Sequence, residues 1–146
     1  MEDCFNYNEK IETLQGENAM FCNMCKAQLP SFYQTKLFTG PEILIIVLNR
    51  GKGIEFKVKL EIDLFIDITN YIELKENKGW KYELIGVVTH LGENGESVHF
   101  IAYCKSPIDG GWYLYNDDCV FEVKDFLKEF RDNELPYILF YQKINN

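Results

Sequence analysis

Apolar and polar residues alternate along much of this chain. From Ile54 to Ile68 every second residue is apolar and the residues between them are mostly charged, which predicts an extended segment with one buried face. Ile43 to Leu48 is instead continuously apolar, which predicts a strand covered on both faces. Further strands are predicted at Tyr82–His90, Val98–Cys104, Trp112–Tyr115 and Tyr137–Ile144, with turns at Gly92–Gly95 and Asp109–Gly111.

Helical patterns are confined to short segments. Residues 2 to 14 place Phe5, Ile11 and Leu14 among polar neighbours and are followed by Gly16, so one short amphipathic helix is predicted there. Asp125 can cap a second short helix, one side of which carries Phe126, Leu127 and Phe130. The polar segment 73–79 predicts a loop. Together these patterns predict an α+β fold of mostly antiparallel β-sheet with a few short peripheral helices.

Length and charge narrow the function classes. The chain has 146 residues, 47% of them hydrophobic, which suffices for one domain with a core. Its net charge is −8, with 15 basic residues scattered among 23 acidic ones, so nucleic acid and anionic membranes are disfavoured as partners and a basic partner is favoured. The sequence has no long apolar run or apolar signal core, and its five cysteines are widely spread. We therefore expect free thiols in the cytoplasm or nucleus.

His99, one of two histidines, lies at the start of a predicted strand, and the next predicted strand ends in Asn116, Asp117 and Asp118. If the two strands are antiparallel, Asn116 or Asp117 can accept a hydrogen bond from one imidazole nitrogen and leave the other facing a nucleophile. A lone histidine on a strand is also typical of a core or rim residue whose ring nitrogens are satisfied. Asn-Asp-Asp is also typical of a polar turn. From the spacing alone, both interpretations remain open.

Cys22 and Cys25 form a single C-x-x-C pair. Two thiolates at this spacing can bind one zinc ion, but a closed structural site needs four ligands and the sequence has no second close pair. A thioredoxin-like redox pair is disfavoured because its βαβ context is missing.

Six segments of the chain carry a family resemblance when they are taken together and in order. They are CNMCKAQ, PEILIIVLNR, FKVKLEIDLFIDITNYI, YELIGVVTHLGENGESVHFIAYCK, WYLYNDDCV and PYILFYQKI. This series resembles the C-terminal half of the catalytic domain of ubiquitin-specific proteases, which are papain-like cysteine deubiquitinases, and it extends over nearly all of residues 1–146. The resemblance implies the palm and fingers part of a papain-like protease fold.

The resemblance also implies an activity and its residues. The reaction is thiol-dependent cleavage of the isopeptide bond after the C-terminal glycine of ubiquitin, and the partners are ubiquitin or ubiquitinated proteins. His99 matches the catalytic histidine, Asn116 the third member of a Cys-His-Asn triad, and Asp117 a supporting acidic position. Phe100 stands where relatives usually carry Tyr and is assigned to substrate binding. His90 matches a histidine that often precedes the catalytic one, and we interpret it as structural.

The family further implies a structural zinc ion but no cofactor for catalysis. Residues 17–40 resemble part of a zinc-ribbon-like fingers segment, in which Cys22 and Cys25 are half of the ligand set and the other pair lies upstream.

The chain also departs from the family pattern. Val98 replaces the Gly that usually precedes the catalytic histidine, and its β-branched side chain adds bulk where a diglycine tail must pass. The cysteine box that carries the family's nucleophile is absent. We interpret Cys4 as buried packing, and Cys104 and Cys119 as small hydrophobic residues. Three hypotheses follow. The chain is the C-terminal portion of a hydrolase, either truncated or working with a separate N-terminal half; or it is an inactive ubiquitin-binding or scaffold module; or it is a fragment without independent function.

Overall fold

A computed structural model describes residues 1–50, 60–75, 79–91, 99–130 and 134–145. The chain divides into two compact units, which are Met1–Gly40 with Ile68–Gly79 and Pro41–Asp67 with Trp80–Asn146. Among the described residues, no helix is long and apolar enough to cross a membrane.

The described residues of the first unit form one helix and two small two-stranded sheets. The first strand pairs antiparallel with the fourth, and the second with the third. Single 3₁₀ turns occur at Gly16–Asn18 and Thr69–Tyr71. The elements are α1 (Glu2–Asn8), β1 (Glu12–Leu14), β2 (Met20–Cys22), β3 (Ala27–Leu29) and β4 (Ser31–Tyr33).

The predicted helix over residues 2–14 is wrong in its second half, because α1 ends at Asn8 and Leu14 pairs with Ser31 as part of β1. The helical half is held by Phe5, whose ring stacks on Tyr71 at 5.1 Å. Ile11 is 64% exposed and so is not buried as the second half of the predicted helix requires. Apolar spacing alone did not distinguish a helix from a helix followed by a strand.

The second unit is built on a seven-stranded sheet in the order β10-β9-β8-β7-β11-β5, with β6 pairing to the start of β7. All of these pairings are antiparallel, which confirms the predicted α+β fold of mostly antiparallel sheet. The elements are β5 (Ile43–Val47), β6 (Phe65–Asp67), β7 (Lys81–Leu91), β8 (His99–Lys105), β9 (Trp112–Asn116), β10 (Cys119–Val123), α2 (Phe126–Glu129) and β11 (Glu134–Lys143).

One face of this sheet carries the core of the second unit. Its fully buried side chains come from the central strands and include Leu84, Val87, Tyr103, Leu139 and Tyr141. Val87 pairs with Tyr103 and Leu139, and Leu84 pairs with Tyr141 beyond a register shift between β7 and β11, so these residues share the face that the odd-numbered side chains of β8 occupy. They hold the central strands in a fixed register.

The helix α2 begins as predicted, with the Asp125 side chain accepting a hydrogen bond from the backbone N–H of Lys128. Phe126 is buried and stacks on Trp112 with ring centroids 4.2 Å apart. The predicted apolar side is only partly right, because Leu127 is 55% exposed. In a helix of one turn, consecutive residues point in different directions, so Phe126 and Leu127 cannot both face the sheet.

The prediction that Ile43–Leu48 is covered on both faces is wrong. In the part of the chain that is described, β5 pairs only with β11, and Ile43, Ile45 and Val47 are 40%, 53% and 63% exposed. A continuous apolar run shows that both faces are apolar, but it does not show whether both are covered.

The predicted extended segment Ile54–Ile68 is confirmed in part. In the described part of this segment, residues 60–68, the strand is Phe65–Asp67, and exposure alternates as predicted from residue 62 to residue 68, where Ile68 is buried. The backbone N–H of Leu84 donates to the carbonyl of Leu64, which keeps this segment beside β7. The predicted features at residues 54–59, Gly92–Gly95 and Val98 lie outside the described residues, as do residues 76–78 of the predicted loop.

Candidate active site

His99 is the first residue of β8, where it pairs with Leu91, the last residue of β7. Asn116 is the last residue of β9, next to Tyr115, which pairs with Ala102 of β8. The β8–β9 hairpin therefore brings the end of one strand beside the start of the other, as the antiparallel arrangement predicts. The His99 side chain is 40% exposed, so its ring lies at the surface end of the sheet.

The turn at the far end of the β8–β9 hairpin helps to set this register. The Asp109 carboxylate accepts hydrogen bonds from the Tyr113 hydroxyl at 2.7 Å and from the Gly111 backbone N–H at 3.0 Å. These donors, the Tyr113 hydroxyl foremost, lower the pKa of Asp109. The backbone N–H of Ser106 also donates to the carbonyl of Gly111. The turn was predicted at Asp109–Gly111, and its position is confirmed.

The imidazole of His99 and the amide of Asn116 are in hydrogen-bond contact, with 2.7 Å between Nε2 and Oδ1. An amide oxygen only accepts, so Nε2 carries the hydrogen. In the neutral ring Nδ1 then has the free lone pair and is the nitrogen that can take a proton. When Nδ1 is protonated, the Nε2–H···Oδ1 hydrogen bond can persist. This is the geometry of a base whose tautomer is set by a neutral acceptor.

Asp117 lies further from the ring, with 3.9 Å between its Oδ2 and Nε2 of His99. That distance is too long for a hydrogen bond, and water screens the carboxylate because its side chain is 79% exposed. Asp117 has a φ of 49°, a left-handed conformation that Asp tolerates in turns. The Asn-Asp-Asp sequence thus supplies both the partner of His99 and a polar turn into β10.

Phe100 projects from the opposite face of β8 to His99. Its ring is 43% exposed and makes edge-to-face contacts with His90 at 5.0 Å and with Tyr137 at 5.6 Å. His90 is buried and lies directly opposite Phe100 in the strand register. The substrate-binding role of Phe100 stays a prediction. Tyr137 was not predicted as a site neighbour, because its position depends on an irregularity in β11 that no sequence pattern indicates.

The two cysteines of the second unit lie on strands and differ in burial. Cys104 is half-buried in β8, and burial raises the pKa of its thiol, which disfavours a nucleophilic thiolate. Cys119 is exposed on β10, opposite Asn116 in register, so the prediction that it packs as a small hydrophobic residue is wrong. In the first unit, Cys4 is exposed on α1, which likewise corrects its predicted burial. Edge strands and short surface helices leave such residues open to solvent on one side.

Cys22 and Cys25 lie on the turn between β2 and β3. The backbone N–H of Cys25 donates to Sγ of Cys22 at 3.4 Å, and the backbone N–H groups of Cys25 and Met24 lower the pKa of the Cys22 thiol. Such a turn suits a thiolate ligand. Among the described residues, however, no group of three or more His, Cys, Asp or Glu side chains could hold a metal ion. These residues alone therefore do not fit a closed zinc site.

A sheet-borne histidine oriented by an asparagine is the arrangement of papain-like cysteine proteases, and the antiparallel architecture agrees with that class. Residues 3–141 match the family model described as "Ubiquitin carboxyl-terminal hydrolase". The chain belongs to the ubiquitin carboxyl-terminal hydrolase family.

Curated relatives and solved structures agree with this assignment. The chain is 32% identical to ubiquitin carboxyl-terminal hydrolase 10 of Saccharomyces cerevisiae, over 88% of the chain and 17% of the relative. It is 32% identical to ubiquitin carboxyl-terminal hydrolase 17-like protein B of Mus musculus, over 94% of the chain and 29% of the relative. A structure described as the SAGA Ubp8/Sgf11/Sus1/Sgf73 DUB module bound to ubiquitin aldehyde is similar with a TM-score of 0.78 and 26% identity, over 99% of this chain and 33% of that one. The chain therefore spans a third or less of the length of these proteins.

Proposed function

We propose that this chain is the His-Asn part of a thiol-dependent ubiquitin carboxyl-terminal hydrolase, which cleaves the isopeptide bond after the C-terminal glycine of ubiquitin. The observation that carries the proposal is the 2.7 Å contact between His99 Nε2 and Asn116 Oδ1 in a member of this family. Ubiquitin as the partner is supported by the similar DUB module bound to ubiquitin aldehyde. The nucleophilic cysteine comes from another segment of the complete protein, since none of the five cysteines lies in a cysteine box.

In this mechanism Nδ1 of His99 takes the proton of the nucleophilic thiol. The thiolate attacks the carbonyl carbon of the ubiquitin C-terminal glycine and forms a tetrahedral intermediate. The imidazolium then gives its proton to the departing lysine amine as the C–N bond breaks, and a thioester remains. Water then attacks the thioester while Nδ1 takes its proton. The C–S bond breaks, which regenerates the enzyme's thiolate and releases ubiquitin with a free C-terminal carboxylate.

Asn116 keeps the His99 ring in one orientation through both proton transfers. A neutral amide suffices as the acceptor. Once the imidazole has taken the proton of the thiol, the resulting imidazolium is paired with the thiolate and needs no second negative charge. Asp117, 3.9 Å from Nε2 and well exposed, adds a favourable charge near the imidazolium that solvent weakens. We propose a supporting role for Asp117 and a substrate-contacting role for Phe100.

The alternative is a ubiquitin-binding module without catalysis. It is favoured by the chain's own cysteines: none of the five lies in the family's cysteine box, and burial raises the pKa of the Cys104 thiol. Binding of ubiquitin with no turnover by the complete protein would select this alternative.

We further propose that residues 17–40 are part of the zinc-ribbon-like fingers segment of the family. The Cys22–Cys25 turn supports half of a zinc ribbon, which requires two more ligands from outside the described residues. The acidic balance and the free thiols support a cytoplasmic or nuclear location.

The test is hydrolysis of ubiquitin carrying a fluorogenic amide at its C-terminus, measured with the complete protein. His99→Ala should lower kcat/KM by roughly a hundredfold to ten-thousandfold, the usual contribution of general acid-base catalysis. Phe121→Ala, at a half-exposed position on β10, is the control and should stay close to the wild-type rate. Activity of His99→Ala within threefold of wild type would refute the assignment.

A further inference from the structure

We infer that Tyr137, Phe100 and His90 are positioning residues that hold His99 against Asn116, an inference that rests on the proposed function. The three rings lie behind the His99–Asn116 pair, on the opposite face of the sheet. Phe100 is the central ring, 5.0 Å from His90 and 5.6 Å from Tyr137, and both contacts are edge-to-face. Phe100 is covalently next to His99, so fixing its ring fixes the backbone that carries the imidazole.

The start of β8 needs such support because it is paired on one side only. On the β7 side its ladder extends to the Leu91–His99 pair, but on the β9 side the registered pairs begin at Ala102 and Tyr115. The first residues of a strand that is paired on one side fray more easily than its centre. Fraying would separate His99 from Asn116 while the rest of the sheet stayed intact.

Tyr137 reaches Phe100 because β11 carries an extra residue at this point. Pro136 pairs with Thr89 and Ile138 with Val88, so Tyr137 has no partner of its own in β7 and marks a β-bulge. Bulges re-aim a side chain, and this one directs the Tyr137 ring toward Phe100.

The bulge itself is tied to the segment that follows β5. The backbone N–H of Leu48 donates to the carbonyl of Tyr137 at 2.9 Å, and Nε of the buried Arg50 donates to the carbonyl of Pro136 at 2.5 Å. A buried guanidinium that bonds a bulge carbonyl keeps the local geometry rigid. The support for His99 thus runs from Arg50 through the bulge to Tyr137 and Phe100.

The experiment compares Tyr137→Leu with Tyr137→Phe in the 146-residue chain. Leu removes the ring, whereas Phe keeps it. The measurement is the solvent-exchange rate of the His99 Nε2–H proton by NMR, which reports how often the His99–Asn116 pair opens. The chain has two histidines, so only two imidazole signals need assignment, and His99→Ala identifies them. Backbone amide protection of Val87 and Leu139 reports whether the sheet is intact.

Tyr137→Leu should raise the exchange rate by roughly twofold to tenfold, as expected for the loss of one ring contact, with the core amides still protected. Tyr137→Phe should match the wild type. If Tyr137→Leu unfolds the chain, Phe100→Leu takes its place and Phe121→Leu, at a similarly exposed position, is its control. An unchanged exchange rate in the folded ring-deleted variant overturns the inference. The readout needs no turnover, so a complete protein that is inactive refutes the proposed function and leaves this result standing.

Discussion

The substitution Asn116→Ala removes the only protein hydrogen bond recorded for the His99 ring among the described residues. Its expected effect follows from the 2.7 Å contact between Nε2 and Oδ1. In the proposed mechanism His99 is an imidazolium when it donates this bond, and a hydrogen bond from a charged donor contributes about 1.5–3 kcal/mol. The ring is 40% exposed, so water replaces part of the lost interaction and the lower half of that range applies. At 1.4 kcal/mol per factor of ten, kcat/KM should fall about tenfold to fortyfold.

The assay for this prediction is hydrolysis of a fluorogenic ubiquitin amide by the complete protein. The matched variant is Asn116→Asp, which keeps an acceptor oxygen at the same place and should retain more activity than Asn116→Ala. Thermal unfolding should show that both variants are folded. A loss smaller than threefold for Asn116→Ala, or equal losses for Ala and Asp, would show that Asn116 does not orient the imidazole.

Three further predictions concern stability and metal binding. Phe126→Ala should lower the free energy of unfolding in urea by about 3–5 kcal/mol, because the ring is 4% exposed and stacks on Trp112. The neighbouring Leu127→Ala, at a 55% exposed position, should cost less than about 0.5 kcal/mol, and equal costs would refute this packing. Tyr141→Phe should lose about 0.5–1.5 kcal/mol with the hydrogen bond to the Asp63 carbonyl. Burial raises the pKa of Tyr141, so the folded state binds its proton more tightly, and stability should fall as the pH rises above about 10. Urea melts at pH 8 and pH 11 give the free energy of unfolding at each pH. Its fall between the two should be smaller in Tyr141→Phe than in the exposed control Tyr7→Phe, and equal falls would show that Tyr141 does not cause the pH dependence. Finally, mass spectrometry after dialysis against a chelator should find no stoichiometric zinc on the 146-residue chain, since Cys22 and Cys25 supply two of four ligands, and retained zinc would contradict this.

The central sheet could be predicted from the sequence because its strands are long and carry their own signal. β7, β8 and β11 combine apolar runs or alternation with polar turns, and they lie close to their predicted ranges. The contact between His99 and Asn116 could be predicted from the sequence for the same reason, because an antiparallel hairpin of two such strands brings the start of one beside the end of the other.

Other features depend on partners that are distant in sequence. The apolar sequence of β5 is typical of a central strand, yet within the described chain β5 pairs only with β11. The number of strands that pair with it depends on the tertiary fold and not on its own sequence. The three-residue strands β1 to β4 are too short to show a period. Tyr137 reaches Phe100 through a bulge, which arises from the pairing of β11 with β7. No local pattern distinguishes these outcomes.

The most direct test of the account is the intact mass of the protein after incubation with ubiquitin that carries a thiol-reactive group at its C-terminus. The complete protein should gain the mass of one ubiquitin, and His99→Ala should slow that gain at least tenfold because the thiol is no longer deprotonated. The folded 146-residue chain alone should gain no ubiquitin. A single adduct on the isolated chain that depends on His99 would contradict the account, because it would mean that one of these five cysteines is the activated nucleophile.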